Sequence, residues 1–169
     1  MMISVFRVRE NALLPNRANP SDAGMDVFYC PDLTKSSFGV AGSTVIHPDL
    51  SDISILPGRN VMLPTGLMFG IPHGYMLQVC NRGSMGAKKE LLVGAHVIDS
   101  GYSGEVFIDL HNVGSVDQTI RPGDKIAQLV MVPVMRVIPI ETMNEESLYG
   151  MEPITISKRG DGSLGSTGT

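Results

Sequence analysis

Turn-forming residues cut this chain at close intervals: Pro57-Gly58, Pro64-Thr65-Gly66, Pro72-His73-Gly74 and Pro122-Gly123-Asp124 each stand between short apolar runs. Proline fixes φ and lacks an amide hydrogen, and glycine reaches positive φ without strain, so each cluster ends one strand and opens a turn. The 19 glycines and 11 prolines among 169 residues extend the argument to the whole chain, which reads as many short strands and excludes a helical bundle. The expected class is all-β, a sandwich, barrel or jelly roll, and the length suits one domain with a substantial core.

Between the turns, period two marks the strands. The clearest is Glu105 to His111, where Val106, Ile108 and Leu110 alternate with Phe107, Asp109 and His111. Further strands are predicted at Ser4 to Val8, Asp26 to Tyr29, Arg59 to Leu63, Met76 to Cys80, Ile126 to Val132 and Val134 to Ile140. Short helical turns are predicted at Ser84 to Lys89 and Asn144 to Tyr149. Two segments break the pattern. Asp32 to Ser51 is rich in Ser, Gly, Thr and Pro and reads as an insertion or surface loop between strands. Lys158 to Thr169 is glycine-rich with one large apolar side chain, Leu164, so it reads as an arm that stays flexible unless a ligand orders it. The β domain is therefore placed at residues 1–157 and the arm at 158–169.

The charge balance, 13 basic against 17 acidic residues, and the absence of any basic run longer than a pair such as Lys88-Lys89 leave no footprint for long nucleic acid. No apolar stretch approaches the roughly 20 residues of a membrane span. The start, MMISVFRVRE, lacks a signal peptide's apolar region, so a soluble, intracellular protein is expected. Cys30 and Cys80 lack a CxxC or CxxH context and read as small buried apolar residues. His47, His73, His96 and His111 show no metal-ligand spacing.

Two clusters combine arginine with small residues: Arg82-Gly83-Ser84-Met85-Gly86 at a strand end, and the arm beginning at Arg159. Small residues let backbone N–H groups approach an anion closely, and arginine supplies a forked donor, so both suit phosphate. In Val97-Ile98-Asp99-Ser100-Gly101-Tyr102 an apolar strand end runs into a turn carrying a carboxylate and an aromatic ring. There a carboxylate is placed to orient and deprotonate water, and a ring to pack on a sugar or base. For each turn aspartate, capping of its own backbone is the competing role. Asp26 is a similar case, suited to a hydrated Mg²⁺ on phosphates or to a plain strand edge.

Taken in chain order, these segments resemble the trimeric dUTPase family (deoxyuridine 5'-triphosphate nucleotidohydrolases) from about Val5 to Thr169. The resemblance lies in Ser21-Asp22-Ala23-Gly24-Met25-Asp26-Val27, in Arg82-Gly83-Ser84-Met85-Gly86, and in Val93 to Glu105. It continues in Gly123-Asp124-Lys125-Ile126-Ala127-Gln128-Leu129 and in Arg159 to Gly168. It implies a jelly-roll-like subunit, a homotrimer with shared active sites closed by the C-terminal arm, and Mg²⁺-dependent hydrolysis of dUTP to dUMP and pyrophosphate in the cytoplasm. In a phage-encoded member, that is the host's cytoplasm.

By the same resemblance Asp99 activates the water that attacks the α-phosphorus, and Asp26 meets the metal through water. Arg82, Gly83, Ser84, Gln128 and Arg159, with Gly165, Ser166 and Thr167, hold the phosphates. Uracil is read by backbone groups of a hairpin formed by Val93, Gly94, Ala95, His96, Val97 and Ile98, Tyr102 lies under deoxyribose, and Leu164 closes over the base. His96 and Leu164 stand where the family commonly has a small residue and an aromatic ring. Asp109 opens a second enzymatic reading, dCTP deaminase or a bifunctional deaminase, because the related deaminases carry a glutamate near this position. A third reading is a nucleotide-gated binding module with a protein partner on residues 32–51.

Overall fold

The computed structural model describes residues 2–32, 44–46 and 52–148. The chain divides into two compact units, Met1–Met135 and Arg136–Thr169. The first unit is built from strands: β1 (Ser4–Arg7), β2 (Met25–Phe28), β3 (Thr44–Ile46), β4 (Ile53–Ile55), β5 (Asn60–Pro64), β6 (Leu67–Gly70), β7 (Tyr75–Cys80), β8 (Leu91–Val93), β9 (Val97–Asp99), β10 (Phe107–Asn112), β11 (Gln118–Ile120) and β12 (Lys125–Pro133). One helix, α1 (Gly83–Lys89), interrupts them, and the described part of the second unit holds α2 (Glu145–Leu148).

The strands form four antiparallel sheets, ordered β2-β12-β7-β9, β5-β10-β8, β11-β4-β3 and β1-β6. Alternation decides which residues go inward. In β10 Ile108, Leu110 and Asn112 are buried and Phe107, Asp109 and His111 half-buried, while the register against β5 sets Ile108 opposite Leu63 and Leu110 opposite Val61. Those side chains join Leu77, Leu91, Ile126 and Leu129 in one core, each worth about 1.5–3 kcal/mol on burial. Asn112, a buried polar residue, is satisfied by donating to the carbonyls of Ile55 (2.8 Å) and Val116 (2.7 Å) and accepting from the Gly114 amide (3.0 Å). It thereby clasps the turn that leads to β11.

Several expectations are corrected here. Val134 to Ile140 forms no strand: Pro133 and Pro139 lack donors, and Met135, Val137, Ile138 and Ile140 are exposed. The strand predicted from Glu105 begins at Phe107, because the Glu105 side chain is drawn into an ion pair with Arg9. Within Asp32 to Ser51, a stretch read as loop, β3 adds a strand against β4 with Val45 opposite Ser54. The rest of that stretch lies outside the described residues, apart from Asp32. Cys30 is buried as expected, whereas Cys80, at the end of β7, is partly exposed. Helix α1 begins one residue before the predicted turn and buries only Met85, and the predicted second turn corresponds to α2.

Candidate active site

β2 and β12 run antiparallel with Asp26 opposite Gln128. A register irregularity between Lys125 and Ala127 lets Ile126 and Ala127 both enter the core, so that Lys125 and Gln128 stay on the half-buried side. Arg82, the residue that opens α1, donates from Nε to Asp26 Oδ1 (2.8 Å), and Lys125 Nζ lies 2.7 Å from Asp26 Oδ2. Burial alone would raise the Asp26 carboxyl, but the bonds from Lys125 and Arg82 outweigh it and hold the group below its ordinary value. Arg82 Nη1 also reaches Ser84 Oγ (3.4 Å). Arg82, Ser84, Lys88, Lys89 and Lys125, with Met85 and Asp124, line a cavity of about 220 Å³ whose rim is cationic. Gly83 is not among the residues that line it, whereas Ser84 is.

Gln128 donates from Nε2 to the Asn81 carbonyl (2.8 Å), and its Oε1 packs so close to Gly24 that a Cβ there would come within 2.2 Å. Asn81 in turn accepts the Val93 amide on Oδ1 (2.7 Å). The predicted hairpin from Val93 to Ile98 is instead a corner between sheets: β8 pairs with β10, β9 pairs with β7, and Gly94 to His96 crosses between them. A hairpin needs its two strands to pair with each other, and here each finds a longer partner. The Gly94 amide donates to the Asp109 carbonyl (2.9 Å), and the Val79 amide to the His96 carbonyl (2.8 Å). His96 Nδ1 meets the Val79 carbonyl (2.9 Å), and because a carbonyl only accepts, that nitrogen carries the proton. Among the described residues no hydrogen bond engages the Ala95 amide, the Ala95 carbonyl or the His96 amide. With the Gly94 carbonyl, which is likewise unengaged, the corner offers two donors and two acceptors in sequence.

A second cavity, of about 190 Å³, is lined by Met62, Val97, Ile98, Asp99, Tyr102, Val106 and Phe107. Asp99 ends β9 opposite Met76 with its side chain exposed, and its carbonyl accepts the Tyr102 amide (3.0 Å), closing the turn. The Tyr102 hydroxyl donates to the Glu105 carbonyl (2.7 Å), and a Cβ on Gly104 would come within 2.6 Å of that hydroxyl. Glu105 is itself anchored by Arg9 and by the Gly66 amide (2.7 Å). Desolvation works against the Arg9 charge, yet the Glu105 carboxylate outweighs it and keeps Arg9 firmly cationic.

The described site residues thus fall into two groups on one chain, with Val93, Gly94 and Ala95 of the corner lining neither cavity. Asp99 and Tyr102 share a cavity with Val97 and Ile98; Arg82, Ser84 and Asp26 gather elsewhere with Gln128 nearby. Arg159, Leu164, Gly165, Ser166 and Thr167 lie outside the described residues. Asp109 lines neither described cavity; its carboxylate accepts from Asn60 Nδ2 (2.9 Å) and meets His111 Nε2 (3.0 Å) beside Gly94. Lys125, Asn81 and Glu105 take part here without having been named as site residues; Lys125 and Glu105 stand within the motifs from Gly123 to Leu129 and from Val93 to Glu105, while nothing local marks Asn81. Among the described residues no three His, Cys, Asp or Glu side chains gather as a metal-ligand set. No helix among them is long and apolar enough to cross a membrane.

Comparison with known proteins converges on one family. The dUTPase family model matches residues 49–168. The deoxyuridine 5'-triphosphate nucleotidohydrolase of Chlamydia trachomatis is 36% identical over 149 residues, covering 83% of this chain and 97% of that one. That of Gloeobacter violaceus is 35% identical over 168 residues, covering 98% and 96%. Among solved structures, a variant dUTPase of Staphylococcus bacteriophage 80alpha with dUpNHpp superposes with a TM-score of 0.76 at 22% identity over 99% of both chains. A dUTPase variant from phage phi11 of S. aureus, described with a structural Mg(II) ion, gives 0.69 at 22% identity over 86% of this chain and 99% of that one. At such identities the structures speak for the fold.

Proposed function

Because the chain belongs to the dUTPase family and is a dUTP diphosphatase, we propose that it cleaves dUTP between the α- and β-phosphates through water activated by Asp99. What supports this reading is the separation of the chemistry into two incomplete cavities: a carboxylate and ring with no cation lining one, and a cationic basin the other. A homotrimer that sets the first cavity of one subunit against the second of its neighbour completes the site.

In this reading Asp99, exposed at the end of a fixed strand, accepts a proton from the attacking water, a role worth about 10²- to 10⁴-fold in rate. Arg82, Ser84 and Lys125 hold the phosphates and offset the charge that develops on them. Gln128, fixed by its bond to the Asn81 carbonyl, joins them in holding the phosphates, and Arg159 with Gly165, Ser166 and Thr167 adds donors from the arm. The residues fit Mg²⁺ in one manner only. Both Asp26 oxygens are engaged by Arg82 and Lys125, so Asp26 would hold Mg²⁺ only indirectly, through water, with the triphosphate as the main holder of the ion. Bound Mg²⁺ neutralises phosphate charge and holds the chain of phosphates in a reactive shape.

Uracil is read by the free backbone groups of the Gly94 to His96 corner, and the Tyr102 ring lies under the deoxyribose. The deaminase reading is disfavoured because the Asp109 carboxylate is engaged by Asn60 and His111. Product analysis with Mg²⁺ and, separately, dUTP, dCTP, dTTP and UTP tests the proposal. dUMP and pyrophosphate from dUTP alone are expected; deamination of dCTP would overturn it.

A further inference from the structure

Asn81 lies outside every motif that carries the family resemblance, yet it joins two of them. We propose that Asn81 is a positioning residue that sets base discrimination by holding the Gly94 to His96 corner in register. The inference rests on the proposed reading of that corner as the element that meets the base.

Val93, the last residue of β8, is 7% exposed, so its amide must find a partner inside the protein. The partner is Asn81 Oδ1 at 2.7 Å. Asn81 is held in turn, because its carbonyl accepts Gln128 Nε2 at 2.8 Å and Gln128 is seated against Gly24. One residue further along, the Gly94 amide is fixed to the Asp109 carbonyl. The Asp109 carboxylate and His111 imidazole cover Gly94 so closely that a Cβ would come within 2.4 Å and 2.3 Å of them. The far end of the corner is fixed by the paired contacts of His96 with Val79.

The free groups of Ala95 and His96 therefore hang between two anchors, and Asn81 supplies the side-chain half of the first. A base edge is read by donors and acceptors at set positions, and an unmet hydrogen bond is what rejects the wrong base most strongly. Removing the carboxamide leaves the Val93 amide buried and unpaired. The stem then shifts to satisfy it, and the reading groups move with the stem.

The test compares kcat/KM for dUTP and dCTP in the full-length protein and its Asn81→Ala and Asn81→Asp variants. Both nucleotides carry the same triphosphate, so any disturbance of the phosphate basin cancels in their ratio. The Ala variant should lower the dUTP preference about tenfold, the equivalent of one lost buried hydrogen bond, and speed hydrogen exchange at the Val93 amide. The Asp variant, which keeps an oxygen in the same place, should recover both. An unchanged ratio in a folded Ala variant overturns the proposal. Should that variant fail to fold, Asn81→Gln, which moves the oxygen by one methylene, makes the same comparison. Ala95→Val separates the two levels of the argument. If it alters the ratio while Asn81→Ala does not, the corner reads the base and Asn81 is not its anchor; if neither does, the base reading falls and this proposal with it.

Discussion

Single side chains carry the chemistry here, and close approach governs several of them. The Tyr102 ring keeps its place because Gly104 has no Cβ to strike the hydroxyl. Gly104→Ala should therefore displace the ring and raise KM for dUTP several-fold with a smaller effect on kcat, read by steady-state kinetics. Asp26 gives a pH signature. Its carboxyl is held below 3.8 in the folded chain by Lys125 and Arg82. The resulting stabilisation is full above the unfolded value and disappears as pH falls through the lower, folded one. Urea midpoints followed from pH 5 down to about pH 2 should fall less steeply in Asp26→Asn than in the unaltered protein. Asp99, Tyr102 and Arg82 were recognisable in the sequence because each sits in a compact motif. Asn81 stands outside such motifs, and the parts played by Glu105 and Lys125, though both stand inside one, were not legible either, since the partners Val93, Arg9 and Asp26 are distant in the chain and only folding brings them together.

Elements differ in how plainly their sequences announce them. β10 and β12 are long enough for alternation to be read, and β7 ends where its apolar residues end. The three-residue strands β3, β4, β8, β9 and β11 are shorter than two periods of the pattern, so pairing with a neighbour, not local preference, makes them strands. Val134 to Ile140 shows the converse, a strand-like composition without a ladder. Leu110, fully buried in β10, should cost about 2–5 kcal/mol on replacement by Ala, measurable by denaturant unfolding. Helix α1 ends on Glu90 at φ 51 and ψ 36, a left-handed conformation that penalises a side chain by about 1–2 kcal/mol. Glu90→Gly should raise Tm by a few degrees in a thermal melt.

On the scale of the whole molecule, the first unit is a packed β unit in which the proposed catalytic and phosphate-holding residues line two separate cavities. On the proposed reading, this division is why the chain needs copies of itself, and its arm, to act. Removal of Lys158 to Thr169 should lower turnover strongly while leaving the thermal transition of the β unit unchanged, because that composition has little to bury. In the proposed reaction, water activated by Asp99 attacks the α-phosphorus. A single turnover of dUTP in oxygen-18 water, with both products analysed by mass, reads that step. The label should enter dUMP and leave pyrophosphate unlabelled, and Asp99→Asn should bind dUTP yet slow that incorporation at least a hundredfold. Label in the pyrophosphate, or undiminished incorporation in the Asn variant, would contradict the mechanism.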